Sequence, residues 1–172
     1  MAILVLGLGN TIMTDDGFGV KVVEALSSRF RLRGPVTLLD GGTLGLDLLP
    51  RLEGVTQLLI VDALEMQAPP GTIFRLEGAE VPRAFASKLS VHQMGVQDLL
   101  AVAELQGHLP HELVVWGVQP ECIDVGTDLT ATTAAAIEPV VAGVVEELQR
   151  WGIVCETGAA PAGSCPVGAS VS

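Results

Sequence analysis

The chain has 172 residues, 49% of them hydrophobic and 17% charged, and this composition indicates one folded domain and excludes a disordered chain. Its net charge is −11, since nine Lys and Arg are set against twenty Asp and Glu, so no basic face is available to bind nucleic acid. The longest apolar runs are far shorter than the roughly 20 residues that a membrane helix needs. We therefore expect neither a nucleic-acid partner nor a membrane partner.

The two ends of the chain and its cysteines indicate the cellular compartment of the protein and the extent of its domain. A strand pattern begins at residue 2 without a preceding basic segment, so we expect no signal peptide. The three cysteines are odd in number and form no CxxC motif, which predicts free thiols in a reducing cytoplasm. Residues 154–172 are rich in Gly, Ala, Pro and Ser and show no periodicity. We therefore expect a cytoplasmic monomer with one domain, residues 1–153, followed by a flexible tail, residues 154–172.

Short apolar runs alternate with amphipathic segments along the chain. Residues 2–8 form a continuous apolar run, which is typical of a strand buried on both faces. The other predicted strands are residues 36–39, 57–61, 72–76 and 113–118. The predicted helices are residues 17–30, 44–52, 93–105 and 130–151, and residues 78–92 look irregular. This alternation predicts an α/β three-layer sandwich with a mainly parallel sheet.

Acidic residues follow the first three predicted strands. Asp15 and Asp16 follow the first strand, Asp40 the second and Asp62 the third. In a parallel sheet, ligands bind beyond the carboxyl ends of the strands, where the strand order reverses. If the first and third strands are neighbours, Asp16 and Asp62 share one crevice.

Each of these acidic residues also has a structural interpretation. An aspartate at the start of a helix can cap it, and one cap needs only Asp15 or Asp16. Asp62 could hydrogen-bond its own backbone in a turn, and Asp40, which precedes two glycines, is the stronger turn candidate. These alternatives stay open on the sequence alone.

The segment GLGNTIMTDDGFG at residues 7–19 also allows a dinucleotide-binding turn. The third glycine of the GxGxxG motif is missing, because Ile12 occupies its position. Two aspartates lie at the helix start where a pyrophosphate would bind. The loop therefore favours a cation over a phosphate, and we expect no nucleotide cofactor.

His92 lies in the segment SVHQMG, where a helix is predicted to begin after a long irregular stretch. A lone histidine is more often structural than a ligand, but sites are often built at such junctions. One imidazole and two carboxylates are a suitable ligand set for a divalent transition metal and leave positions open for a substrate. Asp16, Asp62 and His92 are therefore the candidate metal ligands.

Several motifs that occur in order within residues 2–153 resemble those of the hydrogenase maturation endopeptidases. They are LGLGNTIMTDDGFGV, LLDGGTLGLDLL, LLIVDAL, PPGT, SVHQMG and VVWGVQPE. The resemblance implies a phosphorylase/hydrolase-like fold, with a five-stranded, mostly parallel sheet flanked by helices and containing one antiparallel strand. The segment at residues 72–76 is the natural candidate for that strand.

The resemblance also implies a function. Family members remove the C-terminal extension from the nickel-loaded large-subunit precursor of a [NiFe] hydrogenase, cleaving after a Cys-x-x-Cys-x-x-His/Arg motif. By position, Asp16, Asp62 and His92 match the metal-binding and catalytic residues, and the nickel is carried by the substrate. The supporting, substrate-binding turn is Asp40, Gly41, Gly42 and Thr43. The attack on the peptide stays open between water acting on a metal-polarised carbonyl and a carboxylate acting as general base.

This chain departs from the family at one ligand. Many members carry Glu where this chain has Asp16, so the side chain is one methylene shorter and its reach must be recovered by the backbone or by a water. Two functions of other classes remain as alternatives, a nucleotide- or small-molecule-binding α/β module and a non-catalytic nickel chaperone. The lack of His-rich or Cys-rich tracts in the sequence disfavours the chaperone.

Overall fold

A computed structural model describes residues 2–44, 46–82 and 91–158, and only the backbone of residues 91–96. In chain order the elements are β1 (Ile3–Leu8), a first 3-10 helix (Thr14–Gly17), α1 (Phe18–Arg29), β2 (Phe30–Arg33), β3 (Val36–Gly42), a second 3-10 helix (Leu46–Leu52), β4 (Gln57–Ala63), β5 (Ile73–Glu77), α2 (Val91–Leu105), β6 (Glu112–Val118), α3 (Ala131–Ala134), α4 (Ile137–Arg150) and β7 (Val154–Thr157). No helix in this part of the chain combines the length and the apolar character that crossing a bilayer requires.

The central sheet has five strands in the order β3-β1-β4-β6-β5. β1, β3, β4 and β6 are parallel, and β5 pairs with β6 in the antiparallel direction. The chain passes from β1 to β3 on one side and then to β4 on the other, so the strand order reverses between β1 and β4. The predicted α/β class, the antiparallel strand near residues 72–76 and the neighbouring first and third predicted strands are all confirmed.

Helical segments cover both faces of this sheet. On one face α1 and α4 pack side chains such as Phe18 and Val144 against the strands. On the other face the second 3-10 helix and α2 contribute side chains such as Leu48 and Leu99. Every residue of β1 and β4 is buried as a result. This double burial explains why both strands are continuous apolar runs in the sequence.

The first turn of α1 lies unusually close to the sheet. A Cβ atom at Gly19 would lie 2.0 Å from the carbonyl oxygen of Val61 and 2.5 Å from that of Leu8. Both oxygens belong to the backbone of buried strands, so neither can move aside easily. Gly19 therefore allows α1, and the loop before it, to lie directly against the carboxyl ends of β1 and β4.

We expect Gly19→Ala to lower the free energy of unfolding by about 2 kcal/mol, because the added methyl overpacks a rigid backbone contact. Urea denaturation followed by circular dichroism measures the change. Gly54→Ala is the control, since Gly54 has a φ of +78° but open space around its Cα. The control should cost only the roughly 1 kcal/mol of a left-handed backbone conformation. Equal losses for the two variants would contradict a tight approach at Gly19.

Two predicted helices differ from the structure in type or continuity. The segment at residues 44–52 contains a 3-10 helix with Pro50 inside it, because proline cannot donate the hydrogen bond that an α-helix needs. The predicted helix at residues 130–151 is divided into α3 and α4, and Pro139 lies in the first turn of α4. A proline is well tolerated in a first turn, where its missing N–H has no partner to lose.

The segment predicted to be irregular, residues 78–92, is only partly described. Residues 80–82 are helical and residues 91–92 begin α2, so the prediction is wrong for these positions. Residues 83–90 lie outside the described part of the chain.

A second, two-stranded sheet contradicts the predicted tail boundary. β2 and β7 pair in the antiparallel direction, with Phe30 opposite Thr157 and Arg33 opposite Val154. Residues 154–157 are therefore a strand and not part of a flexible tail, and residues 159–172 lie outside the described chain. Both strands have four residues, too few to show a period, and their pairing depends on contacts distant in sequence.

Candidate functional site

The carboxyl ends of β1, β3, β4 and β6 meet at one edge of the sheet, here called the carboxyl edge. Asp16 follows β1 in the first 3-10 helix, which packs against β4. Asp62 is the penultimate residue of β4. The structure thus brings Asp16 and Asp62 to the crevice between β1 and β4, where the strand order reverses and ligands bind in folds of this kind.

Asp62 is fully buried at this edge, and its Oδ1 accepts a hydrogen bond of 2.8 Å from the N–H of Ala63. Asp62 therefore bonds the nearby backbone as the structural interpretation predicted, but it lies in strand β4 and not in a turn. This bond does not exclude a role in binding. A carboxylate at this edge of the sheet is a suitable oxygen ligand for a metal cation.

Asp16 lies in residues 9–17, here called the first loop, and the rest of this loop holds its side chain in place. Its Oδ2 accepts a hydrogen bond of 3.0 Å from the N–H of Asn10. Gly9 has a φ of +126°, and a Cβ there would lie only 1.7 Å from the carbonyl oxygen of Asp16. The N-cap of α1 is Gly17 and no side chain caps that helix. The capping interpretation is therefore wrong for Asp16, whose carboxylate is fixed by its own loop.

Asp15 does not cap the helix either, and it connects two loops instead. Its Oδ2 accepts backbone N–H bonds from Glu121 (2.9 Å) and Cys122 (3.0 Å). Its Oδ1 accepts the N–H of Thr130 at 2.8 Å, and the Thr130 hydroxyl also donates to the carboxylate. Burial raises the pKa of Asp15, but these hydrogen bonds outweigh burial and hold the pKa below its usual range. Asp15 is therefore a charged anchor for the loop after β6.

That loop, residues 119–130, is here called the β6 loop, and its backbone also pairs with the first loop. The N–H of Thr14 donates to the carbonyl of Gly126, and the N–H of Gly126 donates to that of Ile12, both at 2.9 Å. The connection is longer than the about two to six residues usual between a strand and a helix in such folds. This length, and the motif VVWGVQPE that ends inside the loop, are the signals in the sequence for the β6 loop, although no residue of the loop was among the predicted site residues.

Gln119, the buried first residue of the β6 loop, fixes the segment that follows Asp62. Its Oε1 accepts backbone N–H bonds from Met66 (2.8 Å) and Ala68 (3.2 Å). Its Nε2 donates to the carboxylate of Glu65 at 2.9 Å. Through Asp15 and Gln119, one loop positions both segments that carry the candidate acidic ligands.

His92 lies in the first turn of α2. The C-terminal end of α2 leads within a few residues to the start of β6, at the edge opposite the carboxyl edge. A helix that returns along the sheet in this way begins on the side of the carboxyl edge. The backbone of His92 thus lies on the side of the carboxyl edge. Its side chain lies outside the described atoms, and its role as a ligand stays a prediction.

The turn after β3 has a clear structural role. Asp40 is exposed, and its Oδ1 accepts the N–H of Gly42 at 2.9 Å. It thus bonds the nearby backbone, as the turn interpretation requires, but it does so at the end of β3, directly before the turn. The carbonyl of Gly42 accepts the N–H of Gly9 at 2.8 Å, so this turn supports the first loop. A substrate-binding role for Asp40, Gly41, Gly42 and the exposed Thr43 stays a prediction.

The charged residues in the loops that follow the parallel strands are all acidic. Residues 9–17, 40–50, 62–72 and 119–130 contain no Lys or Arg. Their acidic residues are Asp15, Asp16, Asp40, Asp47, Asp62, Glu65, Glu121, Asp124 and Asp128. These loops therefore create a negative potential that attracts cations and repels phosphates.

Comparison with known proteins assigns the chain to a family. The family model described as hydrogenase maturation protease matches residues 20–147, most of the chain. The chain belongs to the hydrogenase maturation protease family. This maturation protease is 41% identical over 154 residues to the hydrogenase 2 maturation protease of Escherichia coli, a match that covers 89% of this chain and 94% of the relative.

Two further comparisons agree with this membership. The maturation protease is 42% identical over 159 residues to the hydrogenase expression/formation protein HupD of Rhodobacter capsulatus, covering 91% of this chain and 76% of HupD. The solved structure of the hydrogenase maturating endopeptidase HybD from Escherichia coli has a TM-score of 0.88 and 40% identity, covering 91% of this chain and 98% of that one. The family and fold expected from the sequence motifs are thereby confirmed.

Proposed function

We propose that this maturation protease removes the C-terminal extension of the nickel-loaded large-subunit precursor of a [NiFe] hydrogenase, cleaving after the Cys-x-x-Cys-x-x-His/Arg motif. The observation that carries the proposal is that Asp16 and Asp62 lie in one crevice, in a chain that belongs to the hydrogenase maturation protease family. Both residues are buried, at 6% and 0% exposure. Two carboxylates in this crevice are suited to binding a cation that the substrate carries.

Asp16, Asp62 and His92 are the proposed ligands for the nickel of the precursor. Carboxylate and imidazole groups suit a divalent transition metal. Cysteine thiolates of the precursor hold the other side of the ion, so these three residues complete its coordination. Binding of the metal then fixes the register of the scissile bond relative to the protease, which contributes to the rate by orientation.

Hydrolysis adds one water across the peptide bond. The water oxygen attacks the scissile carbonyl carbon, a carboxylate accepts the water proton, and the proton passes to the leaving amine. Asp16 suits this role better than Asp62, because Asp62 is fully buried while Asp16 keeps a small exposed fraction. The N–H of Asn10 fixes the Asp16 carboxylate in place. The nickel supplies polarisation of the carbonyl when it is bound.

Free thiols support the proposed setting of the reaction. Within the described residues, Cys122 and Cys155 are free thiols, and free thiols are typical of a reducing compartment such as the cytoplasm. We propose that the protein acts there as a monomer. Size-exclusion chromatography with light scattering tests the oligomeric state.

A nucleotide-binding module has less support. A phosphate would bind directly before α1, and the 3-10 helix there contains Asp15, whose oxygens already accept three backbone N–H groups. The loops that follow the parallel strands also contain no Lys or Arg. Equilibrium dialysis with ATP or NAD decides the matter, since binding that survives Asp16→Asn would favour this alternative.

Cleavage is expected to depend on the nickel in the substrate. The purified chain is incubated with the cognate precursor in nickel-loaded and nickel-free forms, and intact-mass spectrometry follows the loss of the C-terminal extension. We expect the loaded precursor to be cleaved at least about 100-fold faster, because only the metal places and polarises the scissile bond.

The matched control adds zinc or magnesium to the nickel-free precursor and should not restore cleavage. Equal cleavage of both precursor forms would contradict nickel-dependent recognition. A loaded precursor that binds the chain but keeps its full mass would identify a nickel chaperone instead of a protease.

A further inference from the structure

Exposed large apolar side chains are concentrated at the carboxyl edge. Seven such residues are exposed in the described chain. Five of them lie on the loops at this edge: Ile12, Leu44, Leu46, Ile123 and Val125. The other two, Leu105 at the end of α2 and Val154 in β7, lie away from it. We call the five residues the apolar rim.

Backbone hydrogen bonds join the loops of the apolar rim into one surface. The N–H of Gly126 donates to the carbonyl of Ile12 at 2.9 Å, which places Val125 next to Ile12. The N–H of Gly9 donates to the carbonyl of Gly42 at 2.8 Å, which brings the turn before Leu44 alongside the first loop. The apolar rim therefore borders the crevice that contains Asp16 and Asp62.

The chemistry of this surface limits what can cover it. Contiguous exposed apolar residues bordered by polar ones mark protein interaction sites. Among the apolar residues lie exposed carboxylates of Glu121, Asp124 and Asp128, and the loops that carry the rim, residues 9–17, 40–50 and 119–130, contain no Lys or Arg. A second copy of this chain, with a net charge of −11, would be repelled at such a surface. The complementary partner presents apolar side chains together with positive charge.

We propose that the apolar rim docks the hydrogenase large-subunit precursor, through a segment of it that combines apolar side chains with Lys or Arg. This inference rests on the proposed function and adds a docking surface to it, outside the groups that touch the reacting atoms. The buried apolar side chains provide affinity. The surrounding carboxylates accelerate the encounter and make it dependent on salt.

The chain offers closely matched variants for the test. Val125 and Leu105 are each 86% exposed, and Ile12 and Val154 are 56% and 53% exposed. Val125→Ser and Ile12→Ser therefore remove apolar surface from the rim. Leu105→Ser and Val154→Ser, the controls, remove it elsewhere. Exposed sites of this kind tolerate substitution, so all four variants are expected to fold.

Binding and cleavage of the nickel-loaded precursor are measured separately, by interferometry on the immobilised precursor and by mass spectrometry. We expect each rim variant to raise both Kd and KM roughly tenfold without changing kcat, since one aliphatic side chain no longer becomes buried on docking. Both controls should match the wild type. The Kd of the wild type should rise with salt concentration.

Rim and control variants with equal Kd would overturn the docking surface, even where cleavage is normal. If the wild type binds the precursor more tightly than Val125→Ser but does not cleave it, the docking surface is retained and the proposed protease function is overturned. A wild type that neither binds nor cleaves any nickel-loaded precursor would overturn both. A concentration-dependent dimer that Val125→Ser converts to a monomer would assign the rim to self-association and overturn precursor docking.

Discussion

Replacement of Asp62 by asparagine is expected to leave the fold intact and to slow cleavage of the nickel-loaded precursor at least about 100-fold. The amide oxygen of the introduced asparagine can still accept the N–H of Ala63, which now bonds to Oδ1 of Asp62 at 2.8 Å. The variant therefore keeps the local structure but lacks the negative charge that the proposed metal ligand needs. Single-turnover cleavage measured by mass spectrometry gives the rate, and circular dichroism reports the fold.

Four further variants make this result specific. Asp98→Asn is the control, because it removes one exposed carboxylate from the middle of α2. His92→Ala is expected to fold and to abolish processing. Asp16→Glu is expected to remain active, because it keeps a carboxylate on a side chain one methylene longer, whereas Asp16→Asn is not. Normal cleavage by Asp62→Asn or His92→Ala would remove that residue from the site.

The Asp15→Asn variant is expected to lose about 3 kcal/mol of unfolding free energy at neutral pH, together with most of its cleavage activity. Both carboxylate oxygens of Asp15 accept hydrogen bonds from backbone N–H groups. An amide offers an acceptor on one side only and directs its NH2 group at a donor on the other. The β6 loop would then lose its anchor, and with it the placement of the first loop that carries Asp16.

The pH dependence of the free energy of unfolding shows whether Asp15 stabilises the fold through its charge or only through the shape of its side chain. The pKa of Asp15 lies below its usual range in the folded protein, so the folded state favours the ionised form. The resulting stability is present above the unfolded pKa, about 4, and is lost as the pH falls through the lower, folded pKa. Urea denaturation between neutral and acidic pH should therefore bring the wild type closer to Asp15→Asn at the acidic end. A constant difference between them at all these pH values would contradict an ionised anchor.

Asp40→Asn is the control for these measurements, because it removes a carboxylate that is exposed and holds one turn. We expect its stability to remain within about 0.5 kcal/mol of the wild type, as for most surface substitutions. An Asp15→Asn variant with the stability of Asp40→Asn and the cleavage rate of the wild type would mean that the contacts between the first loop and the β6 loop are dispensable.

Sequence patterns predicted the central sheet well because its strands have strong local signals. β1 and β4 are continuous apolar runs, since helices cover both of their faces. The acid after each run marks the carboxyl edge, where the backbone leaves the core and polar side chains can be solvated or bind a ligand. Asp16 and Asp62 could therefore be chosen as a pair before their positions in space were known.

Patterns failed where a structure depends on partners distant along the chain. β2 and β7 have four residues each and become strands because they pair with each other. Asp15 matched the preferences of a helix cap, yet its hydrogen-bond donors come from Glu121, Cys122 and Thr130. A local preference of about 1 kcal/mol for capping is outweighed by several charge-assisted bonds in a buried site.

The sequence by itself determined the α/β class, the family, the central strands and the two acidic residues of the crevice, because apolar runs and ordered motifs are local properties of the chain. Only the tertiary structure decided that Asp15 and Gln119 bind the β6 loop to both acid-bearing segments, and that exposed apolar residues from separate loops form one rim. These features are made of hydrogen bonds and contacts between residues far apart in the chain. Their partners are selected when the loops close against the sheet, and no local pattern specifies them.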